Sequence, residues 1–376
     1  MTLKIAHIYP FSPQVLNYSD RDWESSQVPL GANRVLAALN SQDNMQNEIW
    51  NYTQSATVLD RTLDGLRFIS FPRDLNFLPA RMWGLVLNGF NRERSRQFAA
   101  YLAQHRQDLI HLYGLFHKHD WQLVKGTTPY VMEHMGGEIY FDRAKVEIFS
   151  KARAIIFSSA TFLQKYRQQY GLDNGVYIPI PTDLQLFQPA QNLPAKKQLI
   201  FVGQIYKEKG VLEAVEVVKG LRDLNVKDVQ LVIVGKIVDT AYWQKVVGYI
   251  EEHQLQDQVS YLGYIQDKSK LADIMRESLF LLFPSYKESF GQVVIEAMSC
   301  AIPALVLQGS VGPEDIIADG VDGVISSRTD LLKNAHRLVE DPQYRLQLGQ
   351  NGRRKVQQHF NFEQRYASVK QLYLNQ

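Results

Sequence analysis

The chain has 376 residues, more than one ordinary core accommodates and enough for two domains. A hydrophobic content of 45% with 21% charged residues is ordinary soluble globular composition, and a formal net charge of +2 implies no nucleic-acid partner. The single cysteine, Cys300, excludes an intrachain disulfide and fits a reducing compartment.

In chain order, MTLKIAHIYPF carries an apolar run too short for a signal peptide, with Pro10 and Pro13 closing it. No later run approaches the ~20 apolar residues that span a bilayer. The expectation is a cytoplasmic protein, soluble or peripheral to the inner face of a membrane. LKIAHIY, EIWNYT, RFISF, DLIHLYG, PYVMEHM, AIIFSS and GVYIPI predict strands, and residues around 31–40, 80–106, 142–151 and 160–170 predict helices. The pattern then begins again. QLIFVG, VQLVIVG, VSYLGY, LFLLFPS and PALVL predict strands, with helices near 210–223, 240–254, 268–277, 291–300, 313–318, 328–340 and 342–358.

Buried strands alternating with helices predict doubly wound parallel sheets, an α/β class. The expected domains are 1–182 and 198–357, joined by a proline-rich linker at 183–197. An amphipathic helix at 358–376 is free to pack back on the first domain. Two such domains facing one another make a cleft, and ligands in these sheets bind beyond the carboxyl ends of the strands. Residues 1–182 hold 19 basic against 16 acidic groups, an excess small enough for an ordinary solvated surface.

The densest chemistry lies in KESFGQVVIEAMSC, 287–300. Glu288 precedes a helix, Gly291 stands at its mouth, and Glu296 lies inside it. A helix mouth favours an anion, with Ser289 expected as the cap. Carboxylates accept hydrogen bonds from hydroxyls, so the two glutamates suit separate polyol parts of one phosphate-bearing ligand. Taken alone, this spacing equally describes a capped helix with solvated glutamates. Further strand-end glycine turns, at Gly203, Gly235, Gly263 and Gly312, favour the ligand reading, as does Lys209 beside Gly210.

These motifs resemble the family 4 glycosyltransferases, retaining enzymes of GT-B fold that use nucleotide-sugar donors. ESFGQVVIE, followed by AMSCAIP, matches that family's Glu-x7-Glu motif. The resemblance implies that Glu288 and the backbone of Ser289, Phe290 and Gly291 hold the donor sugar and phosphate, and that Glu296 binds the ribose. It gives Lys209, after Gly203, the diphosphate, although Gln204 stands where the family has arginine. The nucleobase would lie near Gly235, Tyr264 and Ile265, and Gly31 would face the phosphates from the first domain. His134 corresponds to a histidine near the reacting sugar carbon. His111, His117 and His119 lack a carboxylate or cysteine pattern that would complete a metal site. Neither a metal nor another cofactor is expected.

The resulting expectation is a retaining, metal-independent hexosyltransferase, UDP-sugars favoured, acting on a hydroxyl of a sugar, lipid-linked or small-molecule acceptor. The basic and apolar stretch 75–98 suits either contact with a lipid-linked acceptor at a membrane or a core helix with a solvated basic face. The alternatives are a GT-B nucleotide-sugar epimerase and an inactive glycosyltransferase-like binding protein. A two-domain sugar-binding protein of periplasmic type should carry a signal segment.

Overall fold

The structure, a computed structural model, describes residues 2–9, 39–40, 43–53, 55, 57–63, 66–72, 96–114, 128–134, 136, 143–191 and 196–374. Gly31, His117, His119 and most of the 75–98 stretch lie outside the described residues. The chain forms two compact units, Met1–Pro179 with Phe362–Gln376, and Ile180–Asn361.

The first unit contains β1 (Leu3–Tyr9), β2 (Met45–Thr53), β3 (Leu59–Leu63), β4 (Leu66–Pro72), α1 (Arg96–Gln104), β5 (Leu109–Tyr113) and β6 (Tyr130–His134). It continues with α2 (Arg143–Lys151), β7 (Ala154–Phe157), α3 (Ala160–Tyr170) and β8 (Gly175–Tyr177). The sheet order is β3-β4-β2-β1-β5-β6-β7-β8. All pairings are parallel except β3 with β4. β3 is absent from the sequence expectation for a physical reason. It is an exposed edge strand whose Asp60, Arg61 and Thr62 blunt the edge and dilute the apolar pattern. The Asp64–Gly65 pair was the available hairpin signal.

The last helix of the chain, Phe362–Leu374 (called α11 below), belongs to this first unit. Its Val369 and Tyr373 join the apolar core with Ile5, Tyr9, Val131 and Ile156. Its Arg365, 3% exposed, binds fully buried Glu133 through Nη2 at 2.7 and 2.9 Å, and donates from Nη1 to the carbonyls of Ile178 and Pro179. Burial pushes the Glu133 carboxyl up, and Arg365 with His111 more than offsets this, leaving it at about 2. The Tyr373 hydroxyl lies 2.6 Å from His111 Nδ1.

Beside this pair, fully buried His7 has Nε2 at 2.8 Å from Asn47 Oδ1 and Nδ1 at 3.0 Å from the Tyr113 hydroxyl. The Asn47 amide donates to Asn40 Oδ1, so its own oxygen accepts. His7 Nε2 therefore donates, and in the neutral ring Nδ1 accepts from Tyr113. Burial, then the neighbouring His111, brings the His7 pKa down to about 3. The unfolded chain takes up the proton near pH 6.5 and the folded chain does not, so stability is full above that value and falls on acidification. Between about pH 7.5 and about pH 5 the loss attributable to His7 is about 2 kcal/mol. Urea unfolding at both pH values, with His7→Gln for comparison, checks this; the variant loses that part of the pH dependence.

The second unit contains β9 (Lys197–Val202), α4 (Val211–Asp223), β10 (Val229–Val234), α5 (Thr240–Glu252), β11 (Val259–Tyr261), α6 (Lys268–Arg276) and β12 (Phe280–Phe283). Then follow α7 (Gln292–Ser299), β13 (Ala304–Leu307), α8 (Val311–Ile316), β14 (Val324–Ser326), α9 (Leu331–Glu340) and α10 (Pro342–His359). Its parallel sheet has the order β11-β10-β9-β12-β13-β14. Leu199, Ile200 and Phe201 on β9, and Phe280 to Leu282 on β12, are fully buried. A strand covered on both faces needs continuous apolar sequence, which is why QLIFV and FLLF do not alternate. The strand order reverses between β9 and β12, where such sheets bind ligands.

The segment expected as the linker contributes to this unit as far as it is described. Phe187 is 2% exposed, and its carbonyl accepts from the Ser299 hydroxyl and from Arg353. Among the described residues no helix is long and apolar enough to cross a membrane.

Candidate active site in the second unit

The site grows from the loops that follow β9 and β12. After β9, Gly203 leads to a single 3-10 turn, Lys207–Lys209, ending at Gly210 with φ 75°. A Cβ at Gly210 would stand 2.0 Å from the Pro284 carbonyl oxygen, so only glycine lets the two loops meet there. The Glu208 carbonyl accepts from the Tyr286 amide at 2.8 Å and from the Ser285 hydroxyl at 3.3 Å. This lacing brings Lys209 to Glu288, Nζ to Oε2 at 2.6 Å, with side chains 12% and 17% exposed. Backbone chemistry at the strand ends thus pairs two side chains 79 positions apart.

Glu288 Oε1 accepts from the Ser289 amide at 3.1 Å, and the Glu288 carbonyl accepts from the Gly312 amide at 3.2 Å. Gly312 must be glycine, because a Cβ would lie 2.3 Å from the Phe290 Cα. Phe290 is buried and supports the loop from below. The helix cap differs from expectation. α7 starts at Gln292 with Gly291 as its N-cap, φ 89°, and Ser289 lies outside it. The left-handed turn at Gly291 ends the loop directly at the helix, so no serine side chain reaches the first free amides. Those amides and the helix dipole remain available to an anion.

Glu296 sits in the middle of α7, 4% exposed among buried Val294, Ile295, Ala297 and Met298. It does not meet Glu288's partner. Its Oε1 accepts instead from Lys268 Nζ at 2.8 Å. Lys268 was not among the sequence candidates, since a lysine opening a helix gives no local signal.

The remaining candidates occupy the same carboxyl edge of the sheet. Gly235 packs onto Gly203, where a Cβ would be 1.7 Å from the Gly203 oxygen. The Gly235 amide donates to the Gly263 carbonyl, and its own carbonyl accepts from the Tyr261 hydroxyl. Three strand ends are thereby tied edge to edge. Tyr264 is 59% exposed, Ile265 is half-buried and Gln204 is exposed. His134 belongs to the first unit, at the end of β6, 3% exposed, with its ring 5.3 Å from that of Phe157 and 5.1 Å from that of Phe162. His111 lies in the buried cluster with His7 and Tyr373. Among the described residues no group of three His, Cys, Asp or Glu is placed to hold a metal ion. Cys300 is buried, and burial pushes its thiol up to about 12, which removes it as a nucleophile.

Residues 185–355, the body of this second unit, match the family described as Glycosyl transferases group 1. The match to that family thus falls within this second unit. Among curated relatives, the chain is 26% identical over 228 residues to the D-inositol 3-phosphate glycosyltransferase of Nocardiopsis dassonvillei, covering 55% of this chain and 52% of that one. It spans about half the length of the first curated relatives it matches. Among solved structures it resembles the sucrose-phosphate synthase of Thermosynechococcus elongatus, with TM-score 0.73 and 21% identity over 99% of this chain and 98% of that one. It also resembles Anabaena Alr3699/HepE in complex with UDP and glucose, TM-score 0.69 and 14% identity, covering 98% of each chain. The fold of the chain is accordingly GT-B, two Rossmann-like α/β domains.

Proposed function

We propose that the protein moves a hexosyl group from a nucleoside diphosphate sugar to an acceptor hydroxyl, with retention at the anomeric carbon and without a metal ion. The observation that carries this is the Lys209–Glu288 pair, 2.6 Å apart at the sheet's switch point, beside the helix mouth at Gly291. The bond from the anomeric carbon to the diphosphate oxygen breaks, and negative charge grows on the leaving group. Lys209 and the free amides at the start of α7 supply the compensating positive potential. Glu288, with the backbone of Ser289 and Phe290, holds the sugar hydroxyls, and Glu296 holds the ribose. The acceptor oxygen attacks the face that the diphosphate leaves, and the departing oxygen takes the acceptor proton. No protein nucleophile takes part. His134 is the catalytic candidate that belongs to the first unit, and the acceptor is assigned to that unit. The nucleobase lies by Gly235, Tyr264 and Ile265.

Uridine is the proposed base, supported by the likeness to the Anabaena protein, whose structure is a complex with UDP and glucose. Calorimetric titration with UDP, GDP and ADP, with and without EDTA, tests donor binding. One diphosphate is expected to bind with EDTA present and to raise the melting temperature, because only the folded state binds it. Glu296→Ala is expected to respond much less. If none of the three binds, and no nucleotide-sugar is consumed in their presence, the donor reading fails.

A further inference from the structure

Each motif glutamate in the second unit is met by a lysine amine, Glu288 by Lys209 and Glu296 by Lys268. The second pair is asymmetric. The Lys268 side chain is 52% exposed, while that of Glu296 is 5% exposed. A simple tie between α6 and α7 accounts for it poorly. Exposed ion pairs contribute little to stability, whereas a carboxylate set among buried apolar neighbours gives up much of its hydration. An apolar side chain would join the two helices at less cost. The amine is not drawn there by its own helix either. Lys268 is the first residue of α6, an end that disfavours a cation. The N-cap Asp267 spends Oδ1 on the amide and hydroxyl of Ser269. What fixes the amine is Glu296 on one side and the Phe187 ring, 6.0 Å to its centroid, on the other. Among the described residues Glu296 Oε2 accepts no hydrogen bond, and it is not sealed from the surface.

We propose that Lys268 is a positioning residue for the donor ribose: it holds one oxygen of Glu296 so that the other is presented to a ribose hydroxyl. This rests on the donor reading above and extends it to a residue outside the Glu-x7-Glu motif. Because the amine is half in water and held by one contact and one ring, it stabilises the carboxylate's orientation without closing the site.

The test compares the ribonucleoside diphosphate that the protein binds with its 2′-deoxy and 3′-deoxy counterparts, on wild type, Lys268→Met, Lys268→Arg and Glu296→Gln. The wild type is expected to prefer the ribose form by about tenfold, the size of one hydrogen bond to a charged group. Glu296→Gln and Lys268→Met both lose most of that preference, and Lys268→Arg retains it. In turnover, the Lys268→Met loss falls on the donor KM rather than on kcat. If Lys268→Met keeps the wild-type preference, or weakens all three ligands equally, Lys268 is only a helix tie and the proposal is overturned. If the wild type binds ribose and deoxyribose forms alike, the ribose role of Glu296 fails, and the role of Lys268 fails with it.

Discussion

On the proposed mechanism, Lys209→Met is expected to lower sugar transfer by about 10²–10³-fold, with most of the loss in kcat, because that mechanism sets its charge against the charge developing on the leaving diphosphate. The amine is 12% exposed and held by the 2.6 Å contact to Glu288, so it is preorganised rather than recruited at the moment of reaction. Glu288→Gln keeps the size of the side chain and the capacity to accept from the Ser289 amide, but loses the charge that aims the lysine. It is expected to fall in the same range. Melting curves separate any loss of folding from the loss of transfer. The check is initial-rate kinetics on the donor found by titration, with melting curves as the control. Wild-type kcat in Lys209→Met would remove this residue from the mechanism.

The largest effect on stability is expected from Arg365→Met. Glu133 is fully buried and holds both guanidinium contacts, so losing Arg365 strands a charge in the core. Removing one partner of such a pair costs about 3–5 kcal/mol. The double variant Arg365→Met with Glu133→Met removes both charges and recovers much of the loss, by the same reasoning. Denaturant unfolding monitored in the first unit measures both. A single variant as stable as the wild type would show that water already reaches Glu133. The loss is distinct from any donor-site defect, since Arg365 and Glu133 belong to the first unit and Lys209 and Glu288 to the second.

The two kinds of site feature differed in how far the sequence exposed them. The loop and turn glycines announce themselves, because Gly210, Gly235 and Gly312 stand where any Cβ would strike backbone within 2.3 Å. The apolar runs of β9, β10 and β12 were legible for the same local reason, being buried on both faces. Interactions between distant side chains were not. Lys268 and Glu296 are 28 positions apart, and Arg365 and Glu133 are 232 apart. Nothing in either neighbourhood marks the other, since charged residues of that kind usually sit solvated on a surface. The absence of an apolar signature likewise concealed β3, and β14 is only three residues long.

The assignment of α11 to the first unit has a consequence for biosynthesis. The strands of that unit are translated first, yet Arg365, Val369 and Tyr373, which complete its interior, come after the whole of the second unit. At about 5–20 residues per second, the nascent first half waits many seconds with Glu133 lacking its guanidinium and its core lacking a wall. The unit begun first is thus the one finished last. A ribosome stalled near residue 361 would leave the first unit open, its unfilled interior exposed to chaperones and proteases.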